Sequence, residues 1–436
     1  MKRRNVRMKF LHLADLHLDS PFIGLKQSMQ NLQEALIQAP YQAFEQAVSS
    51  AIAYEVDVVV IAGDIYDSQA QTIYAQHFFQ QQLQRLDQAE IPVVMIHGNH
   101  DYIQASQRRI QYPDNVHLLG ADSEAIESVD LTFTSGETAR FYGFSYHHRW
   151  IEVRKINAFP KATSETDYTI GLLHGEVEGP SSDAGRYAPF SVEELKQKGY
   201  HYWALGHIHQ AQSLTQTQDI QYAGTPQGRH RNELGEKGGY LVDLRKGQPV
   251  QSEYLAFSPI IWQEERIACH TQMQASELAE KAQDILDNYA EQAKASRRSY
   301  ILTLHLDNAE RLDQALKTQI QEGELLEALA PYQEEAHFVA LNKILLHETR
   351  DFRFFEYDAK LQQTFYASVA SLKEGEAFAE VMDSMWSHPI VKVRLGNLST
   401  DEAFRARVIQ QAQDHLVTQL GFAEKEVSET NEDTSD

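Results

Sequence analysis

Apolar and polar positions divide the chain into two unlike parts. Up to about residue 258, short apolar runs of strand length alternate with stretches of helical period, the pattern of an α/β layered domain. Residues 9–15 predict a strand running into a polar loop. Residues 57–62, with Val58-Val59-Val60-Ile61 at their centre, predict a buried strand, and residues 91–96 a third. Helical periodicity over residues 41–54, and over the Gln-rich stretch 73–89, separates them. Further strands are expected at 116–119, 141–145, 169–173 and 202–205, with β-rich sequence through 221–223 and 240–244.

The pattern changes near Phe257-Ser258-Pro259. Beyond it come an expected strand at 261–268, a helix at 276–295, a strand at 300–306 and a helix at 309–321, and then helical patterns to about residue 420. This gives a first domain over 8–258 and a smaller α/β domain over 259–423. Residues 1–7 read as a leader. Residues 424–436, acidic and nearly without apolar side chains, read as a disordered tail.

Composition narrows the class. Hydrophobic residues make up 42% of 436, enough for a substantial core, yet no run approaches the roughly 18 apolar residues of a membrane span. The basic opening is followed by no apolar stretch of secretory type. One cysteine, Cys269, excludes internal disulfides and thiolate metal clusters; a cytoplasmic setting is expected. The net charge of −23 disfavours any partner held by broad attraction to phosphate. Such a chain holds DNA only through local positive groups, through bound metals or with a partner.

Candidate chemistry lies in five short motifs, each at the end of an apolar run: Asp15-Leu16-His17; Gly63-Asp64-Ile65-Tyr66-Asp67; Gly98-Asn99-His100-Asp101; His174-Gly175; and Gly206-His207-Ile208-His209. In α/β sheets, ligands collect beyond the carboxyl ends of the strands, where several loops converge. In extended chain, residues two apart face the same side, so Asp15 with His17, and His207 with His209, are expected to address one site. Gly63, Gly98 and Gly206 are expected to let the backbone turn before each ligand. Carboxylate, imidazole and one amide oxygen, without thiolate, suit Mn, Fe or Zn better than Mg. Two such cations about 3.5–4 Å apart clamp the attacking and leaving oxygens of a displacement at phosphorus. With Asp15, Asp64 and a bridging hydroxide subtracted, two dications leave a positive centre for phosphate.

The five blocks together resemble the calcineurin-like metallophosphoesterase superfamily. The resemblance implies a β-sandwich flanked by helices, with Asp64 bridging two metals. Asp15, His17 and His209 would complete one position; Asn99, His174 and His207 would complete the other. It further implies that His100 acts as the catalytic histidine, hydrolysing with a metal-bridged hydroxide as nucleophile, and that Asp101 orients its ring. The wording of His12-Leu13-Ala14-Asp15-Leu16-His17-Leu18 and of the later blocks resembles SbcD-type DNA repair exonucleases. Tyr222-Ala223-Gly224-Thr225-Pro226, with Gln227-Gly228-Arg229-His230 and Gly235-Glu236-Lys237-Gly238, is most similar to the bacterial YhaO-type branch. That resemblance covers residues 8 to about 250 and departs at Asp19-Ser20-Pro21-Phe22, where SbcD-type relatives continue with Gly. It implies a capping domain after 258, DNA as substrate, Mn2+ as metal, a homodimer, and an SbcC- or YhaN-like coiled-coil ATPase as partner. No P-loop occurs in this chain. A smaller phosphate ester, such as a cyclic nucleotide or phosphoprotein, is the alternative substrate.

Around this set, Asp67 is expected behind the ligands or facing substrate, and Arg229 and His230 are expected to grip phosphate. His12 and His97 read as structural histidines, Glu176 and Glu178 as loop acids, and Cys269 as a small buried residue. Arg108, Arg109, Arg297 and Arg298 read as solvated charge. His147-His148-Arg149-Trp150 fits either an exposed turn or a nucleic-acid contact; Phe352-Arg353-Phe354-Phe355 fits either core or a docking surface.

Overall fold

The computed structural model describes residues 7–20, 32–67, 71–104, 111–178, 186–329, 332–334, 337–348, 359–373, 376–386, 404–409 and 411–412. Arg108, Arg109, the Phe352–355 run and the acidic tail lie outside them. By packing, the chain divides into two compact units, residues 1–349 and 350–436. In the second unit the described elements are helices, among them Ala359–Lys373 and Glu376–Trp386.

The first unit holds three sheets. Four parallel strands, β1 (Arg7–Leu13), β2 (Val58–Ala62), β3 (Val93–Ile96) and β4 (Val116–Leu118), open the first sheet. Six more form the second: β5 (Glu127–Thr132), β6 (Thr138–Gly143), β7 (Tyr168–His174), β8 (Tyr202–Gly206), β9 (Gln212–Ser213) and β10 (Ile220–Tyr222). Then β11 (Gly238–Arg245) and β12 (Gln251–Ala256) return antiparallel to the free edge of β1. The two six-stranded sheets pack face to face. Met8, Phe10, Val58, Val60, Val94 and Ile96 of one meet Phe141, Ile170, Leu172, Tyr202 and Ala204 of the other. The opposite face of the first sheet is covered by the helices Gln33–Ala53 and Ile73–Gln88, which supply Phe44, Ala47, Phe79 and Leu83. The arrangement is a β-sandwich flanked by helices. Because β2, β3, β7 and β8 are buried on both faces, they read as continuous apolar runs and were legible as such.

Two differences from the expected pattern have physical causes. The first helix starts at Gln33, eight residues before the expected start, and runs through Pro40. A proline inside a helix costs about 3 kcal/mol. Here Leu36 and Ala39 offset it by burial against Ile260, Trp262, Ile301 and Phe338 of the third sheet, while later turns pack on the first. Pro40 therefore sits where the helix passes from one sheet to the other.

That third sheet consists of β13 (Ile260–Ala268), β14 (Ser299–Asp307), β15 (Tyr332–Glu334) and β16 (His337–His347), in the order β13-β14-β16-β15. The sequence pattern gave helix across β16. Phe338 to Asn342 are all buried, so the strand shows no alternation, and periodicity cannot distinguish such a run from a helix. One face of the sheet carries Leu302, Leu304 and Leu306, packed on Leu278, Ala282, Leu286 and Ala293 of the helix Ala275–Ser296. The third sheet is tied to the loop after β10. Gln227 Nε2 donates to the Ile260 carbonyl (2.8 Å), Trp262 Nε1 donates to the Gly228 carbonyl (3.1 Å), and Gly235 N–H donates to the Trp262 carbonyl (2.9 Å). No described helix is long and apolar enough to cross a membrane.

Candidate metal centre

All five motifs sit at the carboxyl ends of parallel strands, and the loops stay paired after the strands stop. Asp15 N–H donates to the Gly63 carbonyl (3.0 Å) and His17 N–H to the Asp64 carbonyl (3.0 Å), so the β1 and β2 loops advance side by side. The extended-chain expectation is not how Asp15 and His17 converge. Asp15, His17, Asp64 and His207 all have positive φ (51°, 45°, 50° and 102°). Left-handed backbone at non-glycine residues costs of order 1–3 kcal/mol each, and four such residues at one place mark a site where geometry is held against local preference.

The glycines serve two purposes. Gly63 has φ +93° and permits the turn. Gly98 and Gly206 provide clearance: a Cβ on Gly98 would lie 2.2 Å from Asp64 Oδ1 and 2.7 Å from the His174 ring, and one on Gly206 would lie 2.0 Å from the Ala62 carbonyl oxygen.

The seven expected ligands come together. Asp15, His17 and His209 present ligand atoms within 4.8 Å of one another, as do Asp15, Asp64 and His174. Asp64 Oδ2 lies 3.8 Å from His17 Nε2 and 3.4 Å from His174 Nε2, between the two groups. Asn99 Oδ1 lies 2.9 Å from His174 Nε2 and 3.1 Å from His207 Nδ1. His17 Nε2 and His209 Nε2 face each other at 3.0 Å.

The partners of the rings assign their tautomers, and these test the fit to metal. His209 Nδ1 donates to the Glu233 carboxylate (2.6 Å), and His174 Nδ1 donates to the Ala62 carbonyl (2.9 Å). In each neutral ring the Nε2 lone pair then points into the cluster, toward other lone pairs and carboxylate oxygens. Acceptors facing acceptors in a buried site need a cation between them. The donor set, nitrogen and oxygen without sulfur, fits a first-row divalent ion.

Electrostatics agree. Burial pushes His17 and His207 down to about 3, leaving neutral imidazoles able to donate a lone pair. Burial raises Asp15 to about 6. At Asp64 burial is outweighed by the His174, His17 and His100 rings, which hold the carboxylate below its ordinary range. Burial opposes charge on His174, but Asp64 and Asp15 raise it to about 9: the pocket calls for positive charge, which in metal-free protein only a proton provides.

His100 stands at the rim, its side chain 36% exposed. Its N–H donates to Asp64 Oδ1 (2.9 Å), and its Nδ1 lies 3.1 Å from the Asp67 backbone carbonyl. The side chain expected to orient His100, Asp101, is turned elsewhere. It accepts from Gly98 N–H (2.7 Å) and Ile65 N–H (2.8 Å) and lies 3.0 Å from His97 Nδ1, pinning the β3 loop to the β2 loop. Asp67 orients His100 instead, through its main chain.

Arg229, expected to grip phosphate, faces inward. It is 8% exposed, and its Nη1 donates inward to Ser20 Oγ (2.6 Å) and Asp67 Oδ1 (2.9 Å). Asp67 Oδ1 also lies 3.0 Å from His17 Nδ1, so its carboxylate backs a ligand. His230 is more open and places Nε2 3.4 Å from Glu233 Oε1. Two residues at the site were missed by sequence reading. Glu233 carries the His209 ring, and its only signal was an acid four residues after Arg229 in the Gly-rich loop. Tyr187 tilts over His207 with ring centroids 4.4 Å apart, and no motif pointed to it.

Elsewhere, His12 Nδ1 pairs with the Tyr202 hydroxyl (3.0 Å) in the core, and His97 Nδ1 donates to the Asp101 carbonyl (2.9 Å). Cys269 is buried. Glu178 pairs with Arg154, and Arg298 with Glu236, whereas Trp150 is exposed with the Arg149 guanidinium over its ring at 5.7 Å.

The chain is similar to known proteins. Residues 8–211 match the family model for calcineurin-like phosphoesterase. The chain is 28% identical to the uncharacterized metallophosphoesterase YhaO of Bacillus subtilis (strain 168) over 415 residues, 95% of this chain and 98% of that one. It is 28% identical to the DNA double-strand break repair protein Mre11 of Saccharolobus solfataricus over 56% of this chain and 62% of that protein. It is 24% identical to a component of the nuclease SbcCD of Staphylococcus epidermidis over 58% of this chain and 70% of that component.

Proposed function

We propose that this chain, which carries a calcineurin-like phosphoesterase domain over residues 8–211 and is thereby a hydrolase of phosphoester bonds, cuts the phosphodiester backbone of DNA as the exonuclease subunit of a repair complex. One observation carries the reading: seven nitrogen and oxygen ligands, from the ends of two facing sheets, converge beside a rim histidine. The likeness of the phosphoesterase domain to a double-strand break repair protein and a nuclease component supports DNA over smaller esters.

In this reading two divalent cations, Mn2+ being favoured, would be held with Asp64 as a ligand common to both positions. Asp15, His17 and His209 would complete one position, and Asn99, His174 and His207 the other. When bound, the cations supply positive charge at the phosphoryl oxygens and make water nucleophilic at neutral pH. The neutral rings of His17 and His207 and the ionised Asp64 are ready to bind without first losing protons. With Nδ1 held at the Asp67 carbonyl, His100 keeps Nε2 as the atom that passes a proton to the leaving oxygen. The net charge of −23 gives DNA no general attraction, so metals and a partner subunit carry the electrostatic part of binding. A coiled-coil ATPase is the partner this reading requires.

The test is cleavage of end-labelled single- and double-stranded DNA with Mn2+, Mg2+ or chelator, with and without the ATPase, beside cyclic nucleotides and bis-nitrophenyl phosphate. Mn2+-stimulated DNA cleavage is expected, abolished by Asp64→Asn and lowered about 10²–10⁴-fold by His100→Ala. Turnover of the small esters with intact DNA in every condition would replace this reading with that of a small-ester phosphoesterase.

A further inference from the structure

The histidines of the two metal positions are supported by different chemistry. His209 Nδ1 meets the Glu233 carboxylate at 2.6 Å, and His17 Nδ1 meets the Asp67 carboxylate at 3.0 Å. Both carboxylates converge on Arg229. Its Nη1 donates to Asp67 Oδ1 (2.9 Å), its main-chain N–H donates to Glu233 Oε2 (2.6 Å), and its Nη2 lies 3.9 Å from Glu233 Oε1. Glu233 and Arg229 are 6% and 8% exposed, so water screens these charges little. His174 Nδ1, in contrast, rests on a neutral carbonyl, and the ring of His207 lies against that of Tyr187.

A carboxylate behind an imidazole fixes the ring and draws on its N–H, making the opposite nitrogen a stronger donor; a neutral carbonyl does this less. We propose that Glu233, Asp67 and Arg229 form an outer clamp that sets the affinity of the metal position built on His17 and His209, separately from the position built on His174 and His207. Glu233 and Arg229 are positioning residues, remote from substrate. Asp67 and Glu233 supply two negative charges behind the rings, and Arg229 removes one of them and locks both carboxylates in place. The Asp15, His17 and His209 position is the tighter of the two and fills first. This rests on the two-metal reading above, though not on the identity of the substrate.

The experiment is Mn2+ titration of the metal-stripped full chain, followed by calorimetry and by the paramagnetic resonance signal of isolated and paired Mn2+. Wild type is expected to bind two equivalents in separable steps. Glu233→Gln is expected to weaken the tighter step by about 10–100-fold, leave the other unchanged, and delay or reverse the order of filling. Glu233→Asp should recover part of that loss, which a general packing defect would not allow. Arg229→Gln reads the same clamp from its other member, so a variant that fails a metal-free melting check leaves the second to decide. Equal weakening of both steps, or no change in either, would overturn the clamp. Fewer than two equivalents in wild type would instead remove the metal-centre reading on which it rests.

Discussion

Among the described residues, histidine rings meet nitrogen to nitrogen in two regions, and only one has the construction of a metal centre. In the third sheet, His305 Nδ1 lies 2.6 Å from His347 Nε2 with the rings stacked, and His305 Nε2 lies 3.4 Å from Glu264. These residues stand on neighbouring strands of a single sheet, and the lone carboxylate addresses the ring nitrogen that faces away from the second histidine. At the centre between the sandwich sheets, loops from five strands arrive from two directions, and Asp15 and Asp64 enter the cluster itself. Among the described residues, groups of three ligand atoms within reach of one ion occur only there. Close imidazoles are therefore weak evidence of metal. Carboxylates inside the cluster, left-handed ligand residues and glycines spaced for clearance are the distinguishing features.

The comparison is broken most severely by Gly98→Ala. The added methyl meets Asp64 and His174 at 2.7 Å or less, so activity and the Mn2+-induced rise in melting temperature should both vanish. An activity assay beside melts with and without Mn2+ checks this; a retained rise would show that clearance at Gly98 is not required. Leu304→Ala, beneath the third sheet, should cost about 2–5 kcal/mol of stability yet leave Mn2+ affinity unchanged, since Leu304 packs only in the cluster beneath that sheet. Urea melts and Mn2+ titration read the two quantities separately. The smallest effect concerns the short helix Val192–Gln197, between β7 and β8. Hydrogen bonds from Arg154 hold Glu194 down to about 2, against an ordinary value near 4.5. Its contribution is present above pH 4.5 and lost as pH falls toward 2. Both side chains are partly exposed, so the loss is under about 1 kcal/mol. Glu194→Gln should flatten that acid limb of a stability–pH curve and leave the neutral region nearly unchanged.

What the sequence revealed follows the same division. The doubly buried strands β2, β3, β7 and β8 appeared as apolar runs, and the polar residues just beyond them were legible because loops rarely place Asp, Asn and His there without cause. The roles of residues behind the ligands were not legible. Asp101 and Arg229 stand beside motifs in sequence, yet backbone direction in their loops turns one toward Gly98 and Ile65 and the other toward Ser20 and Asp67. Glu233 was hidden because its partner, His209, is 24 residues away and only the fold brings them together. The third sheet was half visible: β13 and β14 were read, whereas β16, buried over Phe338 to Asn342, lacked the alternation that identifies a strand.

The ties between the loop after β10 and β13 have a mechanical consequence. Gln227, Gly228 and Gly235 are stitched to Ile260 and Trp262, and Arg229 and Glu233 are carried between those stitches. A shift of the third sheet is thus passed to the loop that carries the carboxylate under His209. The sheet beyond the matched family segment is thereby joined to the loop that supports the His209 ring.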